Sequence, residues 1–163
     1  MIGDETTDRS GPGGAGFTFT RRPTSVPPDI RPEWRIPLLL LMVRRCRGQS
    51  ATREQLHVLN SAVLSTGSRK ALLAALDGRL APRSPALQFE PAFGRAIDRG
   101  VGLGLLATNP RGRLELTDLG RSVADTVDAD EDLFTSEREL LASLPRSLSQ
   151  STIRNALAER RMS

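Results

Sequence analysis

Arginine is the residue type with the most chemical reach in this chain: 22 of its 23 basic residues are Arg, and only Lys70 is lysine. Four of them, Arg95, Arg99, Arg111 and Arg113, fall within a short stretch. A guanidinium is permanently charged and presents its donors in a planar fork, a geometry suited to phosphate oxygens. Arg95 and Arg99 stand one helical turn apart and share a face, whereas Arg111 and Arg113 flank Gly112. Seated at phosphates, the four would give duplex binding a slope of about −3.6 in log affinity against log salt, from about −0.9 per contact. Asp98 lies among them and repels phosphate, so Arg95, Asp98 and Arg99 also read as a surface ion-pair cluster.

Other chemistries find little to work with. The chain holds one His, one Cys and no Tyr. His57, between Leu56 and Val58, reads as a packed helix histidine, because no Ser or Cys in a triad-like context accompanies it. Cys46 closes an apolar segment and reads as a small buried packing residue. Gly100, Gly102 and Gly104 close a helix, whereas a dinucleotide fingerprint opens one, and no P-loop pattern occurs. Asp128, Asp130, Asp132 and Glu139 match positions 1, 3, 5 and 12 of a calcium loop, but Leu133 stands where the sharp turn calls for Gly. An acidic helix junction accounts for the same residues. The expectation is no catalytic residue, no metal and no cofactor, hence no enzyme.

The elements that must position the arginines follow from periodicity. Phe93, Ala96, Ile97, Gly100 and Val101 share one face at about 100° per residue, which predicts a buried helix face with Arg95 and Arg99 opposite. Residues 105–108 and 113–116 then read as two short strands joined by Asn109-Pro110-Arg111-Gly112, a turn in which Pro fixes φ and Gly permits a positive one. Thr117 caps a following helix with Leu119, Val123 and Val127 inward. Upstream, a central helix is predicted to start at Pro37 and run through the apolar residues 38–43 to Arg45 or Cys46. Thr52-Arg53-Glu54-Gln55 has capping-box spacing and opens a second helix with Leu56, Leu59, Val63 and Leu64 inward, ended by Gly67. Ser68 caps a third, with Leu72, Leu73, Leu76 and Leu80 as its stripe and Arg69, Lys70 and Arg79 toward solvent, stopped by Pro82 and Pro85 before a linker over residues 81–90. Ser136-Glu137-Arg138-Glu139 reads as another capping box ahead of Leu140, Leu141 and Leu144, with Pro145 as the stop. A last helix over residues 150–159, Ile153 and Leu157 inward, would complete a hairpin.

Composition bounds the class. A chain of 163 residues with 38% hydrophobic content suits one folded body with tails. No apolar run approaches the ~18 residues that cross a bilayer, and no basic-then-apolar leader opens the sequence, so a cytoplasmic protein without a membrane partner is expected. The formal charge of +4 is unevenly spread: residues 1–30 carry −1, residues 31–121 carry +8 and residues 122–163 carry −3. A basic middle attracts a polyanion, and an acidic end can cover it or meet another subunit.

The run from Ala96 to Leu106, followed by Arg113-Leu114-Glu115-Leu116-Thr117-Asp118-Leu119-Gly120, resembles the "helix, G-L-L, wing, L-T-x-x-G" pattern of bacterial winged-helix proteins. The wider arrangement from Ile36 to Leu157 is similar to the middle components of prokaryotic ABC three-component conflict systems. It shares with them the apolar residues 38–43, Gln55-Leu56-His57-Val58-Leu59-Asn60, the basic wing, and Phe134-Thr135-Ser136-Glu137-Arg138-Glu139-Leu140-Leu141 before a final helix. The resemblance implies a non-catalytic winged-helix accessory subunit, coded with an SMC-like ATPase and an effector, that has a bridging role in defence against phage or plasmids; duplex DNA is the further partner to which the basic residues themselves point. The alternative is a free-standing dimeric winged-helix transcription regulator on operator DNA, and homodimerisation stays open in both. The expected architecture is mainly α: a disordered leader (1–31), a winged helix-turn-helix domain with a two-stranded wing (32–128), and a C-terminal helical hairpin packed on it (129–163). Arg95, Arg99, Arg111 and Arg113 are the expected DNA-binding residues.

Overall fold

The apolar run at residues 38–43 becomes the middle of α1 (Pro32–Arg45), where Leu39, Leu40, Met42 and Val43 are completely buried. The computed structural model describes residues 32–79, 90–145, 151 and 153. The expected leader, most of the linker over 81–90, Leu80, and nearly all of the helix over 150–159 lie outside them. After a single 3-10 turn (Arg47–Gln49) come β1 (Ser50–Ala51), α2 (Arg53–Leu64), α3 (Thr66–Leu76), α4 (Pro91–Gly102), β2 (Leu106–Thr108), β3 (Leu114–Leu116), α5 (Asp118–Ala129) and α6 (Thr135–Ser143). The chain is mainly helical, with one small antiparallel sheet in the order β1-β3-β2. Leu106, Ala107 and Thr108 of β2 stand opposite Leu116, Glu115 and Leu114, and β1 adds Ser50 and Ala51 opposite Glu115 and Leu114. Helix α1 is the hub, packed chiefly on α4 and α5, as expected of a segment apolar on nearly all sides. Among the described residues no helix is long and apolar enough to cross a membrane.

Several boundaries differ from the sequence reading, each for a tertiary reason. Helix α1 starts five residues before Pro37, which sits inside it. The hydrogen bond lost at Pro37 is offset in the first turns, where Trp34 meets Phe134 edge-on at 6.1 Å and Arg35 forms an ion pair with Glu90. The α2–α3 junction is Ser65 rather than Gly67 or Ser68: its N–H closes α2 on the Ser61 carbonyl, and its hydroxyl accepts from Ser68 N at 3.3 Å. Ser68 is then free to pair with the Ser61 hydroxyl inside the core at 3.0 Å. Leu64 and Leu119, expected inward, are exposed. Helix α2 instead buries Gln55, Leu56, Val58, Leu59, Asn60, Ser61 and Ala62, because it is packed against α1, α3 and α4 at once. The capping box at Thr52 and Gln55 forms as read, whereas the one at Ser136 does not: α6 begins after Phe134, a left-handed residue with φ 56° and no side-chain cap. Of the expected hairpin only the first arm, α6, is described in full. In the second, Ser151 and Ile153 are helical and Ile153 is buried.

Candidate nucleic-acid interface

Helix α4 carries its two faces as the periodicity requires. Phe93, Ala96, Ile97 and Gly100 are buried, and Arg95, Asp98 and Arg99 are exposed. Its start is fixed by charge. Glu90, in the N-cap position, receives both arms of the nearly buried Arg35 guanidinium, Nη1 to Oε2 at 2.6 Å and Nη2 to Oε1 at 2.7 Å, and Asn60 Nδ2 donates to Oε2 at 3.2 Å. Those donors, Arg35 first, hold the Glu90 carboxyl below its ordinary range against the opposing effect of burial. One residue each from α1, α2 and the entrance to α4 are thereby tied together. His57 packs edge-on against Phe93 with ring centroids 5.3 Å apart. Burial, and then the charge of Arg53, push its pKa below 6.5, so it is a neutral packing group at pH 7.

The turn between β2 and β3 is rigid, and its rigidity comes from Asn109. The side-chain oxygen of Asn109 accepts from the backbone N–H of both Arg111 and Arg113 at 3.0 Å, its amide donates to Glu115 at 3.3 Å, and its own N–H bonds the Arg113 carbonyl at 2.8 Å. Gly112 takes φ 72°, a left-handed conformation that favours a residue without Cβ. Arg111 is carried outward at the tip and is exposed.

The four expected arginines therefore divide. Among the described residues, the side chains of Arg95, Arg99 and Arg111 engage in no hydrogen bond or ion pair, and all three face solvent. Arg113 differs from the other three: it turns back across the sheet, donating from Nε to Ser50 Oγ at 2.8 Å and from Nη2 to the Ser50 carbonyl at 2.7 Å. Its fork fastens β1 to the start of β3. The cluster of Arg95, Asp98 and Arg99 is also redrawn, since the partner of Asp98 is Arg53 at the start of α2. Sequence reading missed Arg53, Arg35, Asn60 and Glu90. No local spacing marks them, because each meets its partner 30 or more positions away.

The acidic junction has an internal cation of its own. Arg138 donates to the carbonyls of Leu133, Val127, Asp128 and Asp130 and to the Asp128 carboxylate at 3.0 Å. Leu133 does not adopt the positive φ that position 6 of a calcium loop demands. Arg44 joins Asp125 from α1, and Arg45 donates to the carbonyls of Leu141, Ala142 and Leu144 at the end of α6. These arginines line a groove of about 640 Å³ beside Cys46 and Arg47, in which Arg44 and Arg45 tie α1 to α5 and α6 and Arg138 ties α6 to the end of α5. Burial raises the Cys46 thiol to about 11, partly countered by Arg113. Thiol reagents at pH 8 are accordingly expected to label native protein at least an order of magnitude more slowly than unfolded protein, and equal rates would show that the α1 terminus opens readily.

No protein-family model, curated protein or solved structure significantly matches this chain.

Proposed function

We propose that this chain is a non-catalytic winged-helix accessory subunit that touches duplex DNA through α4 and the β2–β3 turn and joins an SMC-like ATPase in a prokaryotic defence system. The observation that carries the nucleic-acid part is the set of solvent-facing guanidiniums of Arg95, Arg99 and Arg111, held on the exposed side of α4 and on a braced turn. The strand order β1-β3-β2, with α4 running directly into β2 and the basic turn between β2 and β3, supports the winged-helix assignment. The ATPase partner and the defence role rest on the sequence resemblance alone.

With Arg113 committed to Ser50, three phosphate contacts remain, and the expected salt slope falls to about −2.7 at about −0.9 per contact. Fluorescence anisotropy on a generic duplex tests this. Replacing Arg111 with Ala is expected to weaken binding and flatten the slope by about 0.9 without moving the melting temperature, as for an exposed turn residue. Arg113→Ala is expected to lower stability by about 1–2 kcal/mol through loss of its two bonds to Ser50. Undiminished duplex affinity of an Arg95→Ala/Arg99→Ala/Arg111→Ala protein would remove DNA from the reading. A preference of several orders of magnitude for its own promoter would instead identify the free-standing dimeric regulator.

A further inference from the structure

The exposed side of α4 carries one carboxylate, and the fold has given it a partner from another helix. Asp98 lies three residues after Arg95 and next to Arg99 on the exposed side of α4, and it pairs with Arg53, the first residue of α2. Both members of the pair are more than half exposed, Arg53 at 51% and Asp98 at 64%. Exposed pairs of this kind are weak and readily exchanged. The carboxylate thus holds one guanidinium, that of Arg53, on the exposed side of α4 that also carries Arg95 and Arg99. The α2 N-terminus adds its own partial positive charge at Arg53, which favours an anion there whichever group supplies it.

On the nucleic-acid reading above, we infer that Asp98 is a stand-in for phosphate, a latch that keeps Arg53 engaged while the face is empty and gives it up to the duplex backbone on binding. Arg53 is then a fourth phosphate contact, replacing Arg113. A polyanion offering several phosphates at once competes well against a single solvated carboxylate, so the exchange needs no change of backbone. In the free protein the carboxylate neutralises the Arg53 guanidinium. In the complex it is a residual penalty that limits affinity for any sequence.

The test is an anisotropy titration of the full chain on two generic duplexes of different base composition across a salt series, comparing the unaltered protein with Asp98→Asn and Arg53→Ala/Asp98→Asn. Asp98→Asn is expected to bind roughly two- to fivefold more tightly on both duplexes, the range an exposed pair controls. In the double variant the slope should flatten by about 0.9 relative to Asp98→Asn, as one phosphate contact is lost, and the affinity gain should shrink with it. A gain that survives intact in the double variant would mean that Asp98 acts by simple repulsion and would overturn the latch. So would an unchanged affinity of Asp98→Asn, or a loss confined to one duplex, which would mark Asp98 as a base reader. In these last three cases weaker binding by the Arg95→Ala/Arg99→Ala/Arg111→Ala protein, run alongside, still upholds the broader reading, whereas no binding by any of the proteins would bring both down.

Discussion

Gly120→Ala is expected to destabilise the protein by about 3 kcal/mol, although alanine is the better helix former by about 1 kcal/mol. A Cβ at this position, on the inner face of α5, would overlap the backbone carbonyl oxygen of Leu105 well inside van der Waals contact. Backbone is the obstacle, so no rotamer change relieves it. The carbonyl itself is pinned, because it accepts the Thr117 N–H at 3.1 Å, while Leu105 N–H bonds the Gly100 carbonyl at 3.0 Å and the Thr117 hydroxyl reaches the Gly104 carbonyl. The end of α4, the start of β2 and the first turn of α5 meet at this one point. A fall of about 6–12 °C in melting temperature is expected for a chain of this size. An unchanged melting temperature would show that α5 can slide away from Leu105, and the corner would then not be what sets the angle of α4 to the sheet.

The second large effect is expected at Glu90. Glu90→Ala leaves the Arg35 guanidinium, whose side chain is 9% exposed, without its carboxylate, and truncations that strand a buried charge cost about 3–5 kcal/mol. The lower end is expected here because Glu90 itself is 33% exposed. Since the same residue fixes the entrance to α4, duplex binding should weaken along with stability. The pH dependence has a defined sign. The folded-state pKa of Glu90 lies below its ordinary value of 4.5, so the unfolded chain binds this proton first. The stabilisation is complete above pH 4.5 and is lost as the pH falls through the lower folded value. Urea unfolding from pH 6 to pH 3 should therefore show the unaltered protein and Glu90→Gln converging in stability toward the acid end. Parallel curves would mean that the ion pair contributes nothing beyond its uncharged counterpart.

Periodicity was most reliable where one face of a helix meets one neighbour. Helix α4 follows its predicted inner face because Phe93, Ala96 and Ile97 all reach the core from one side. It was least reliable for α2, which has neighbours on several sides and therefore buries polar Gln55, Asn60 and Ser61 while leaving Leu64 outside. Strand β1 escaped notice because two residues, Ser50 and Ala51, show no alternation, and their extended form depends on β3 and on the Arg113 fork. Pro37 misled for a similar reason: a proline reads as a helix start, yet contacts made by Trp34 and Arg35 carry the helix past it.

What the sequence determined by itself was local: the Thr52 and Thr117 caps, the Asn109–Gly112 turn, the buried face of α4, and the scarcity of groups able to do acid-base or thiol chemistry. Each is settled by residues within a few positions of one another, whose geometry the backbone already imposes. The tertiary structure alone decided which arginines find partners inside the fold. Arg113 is held by Ser50, 63 positions away, Arg35 by Glu90, 55 away, and Arg53 by Asp98, 45 away. A guanidinium has the same charge everywhere in a sequence, and only folding gives it a partner or leaves it to solvent.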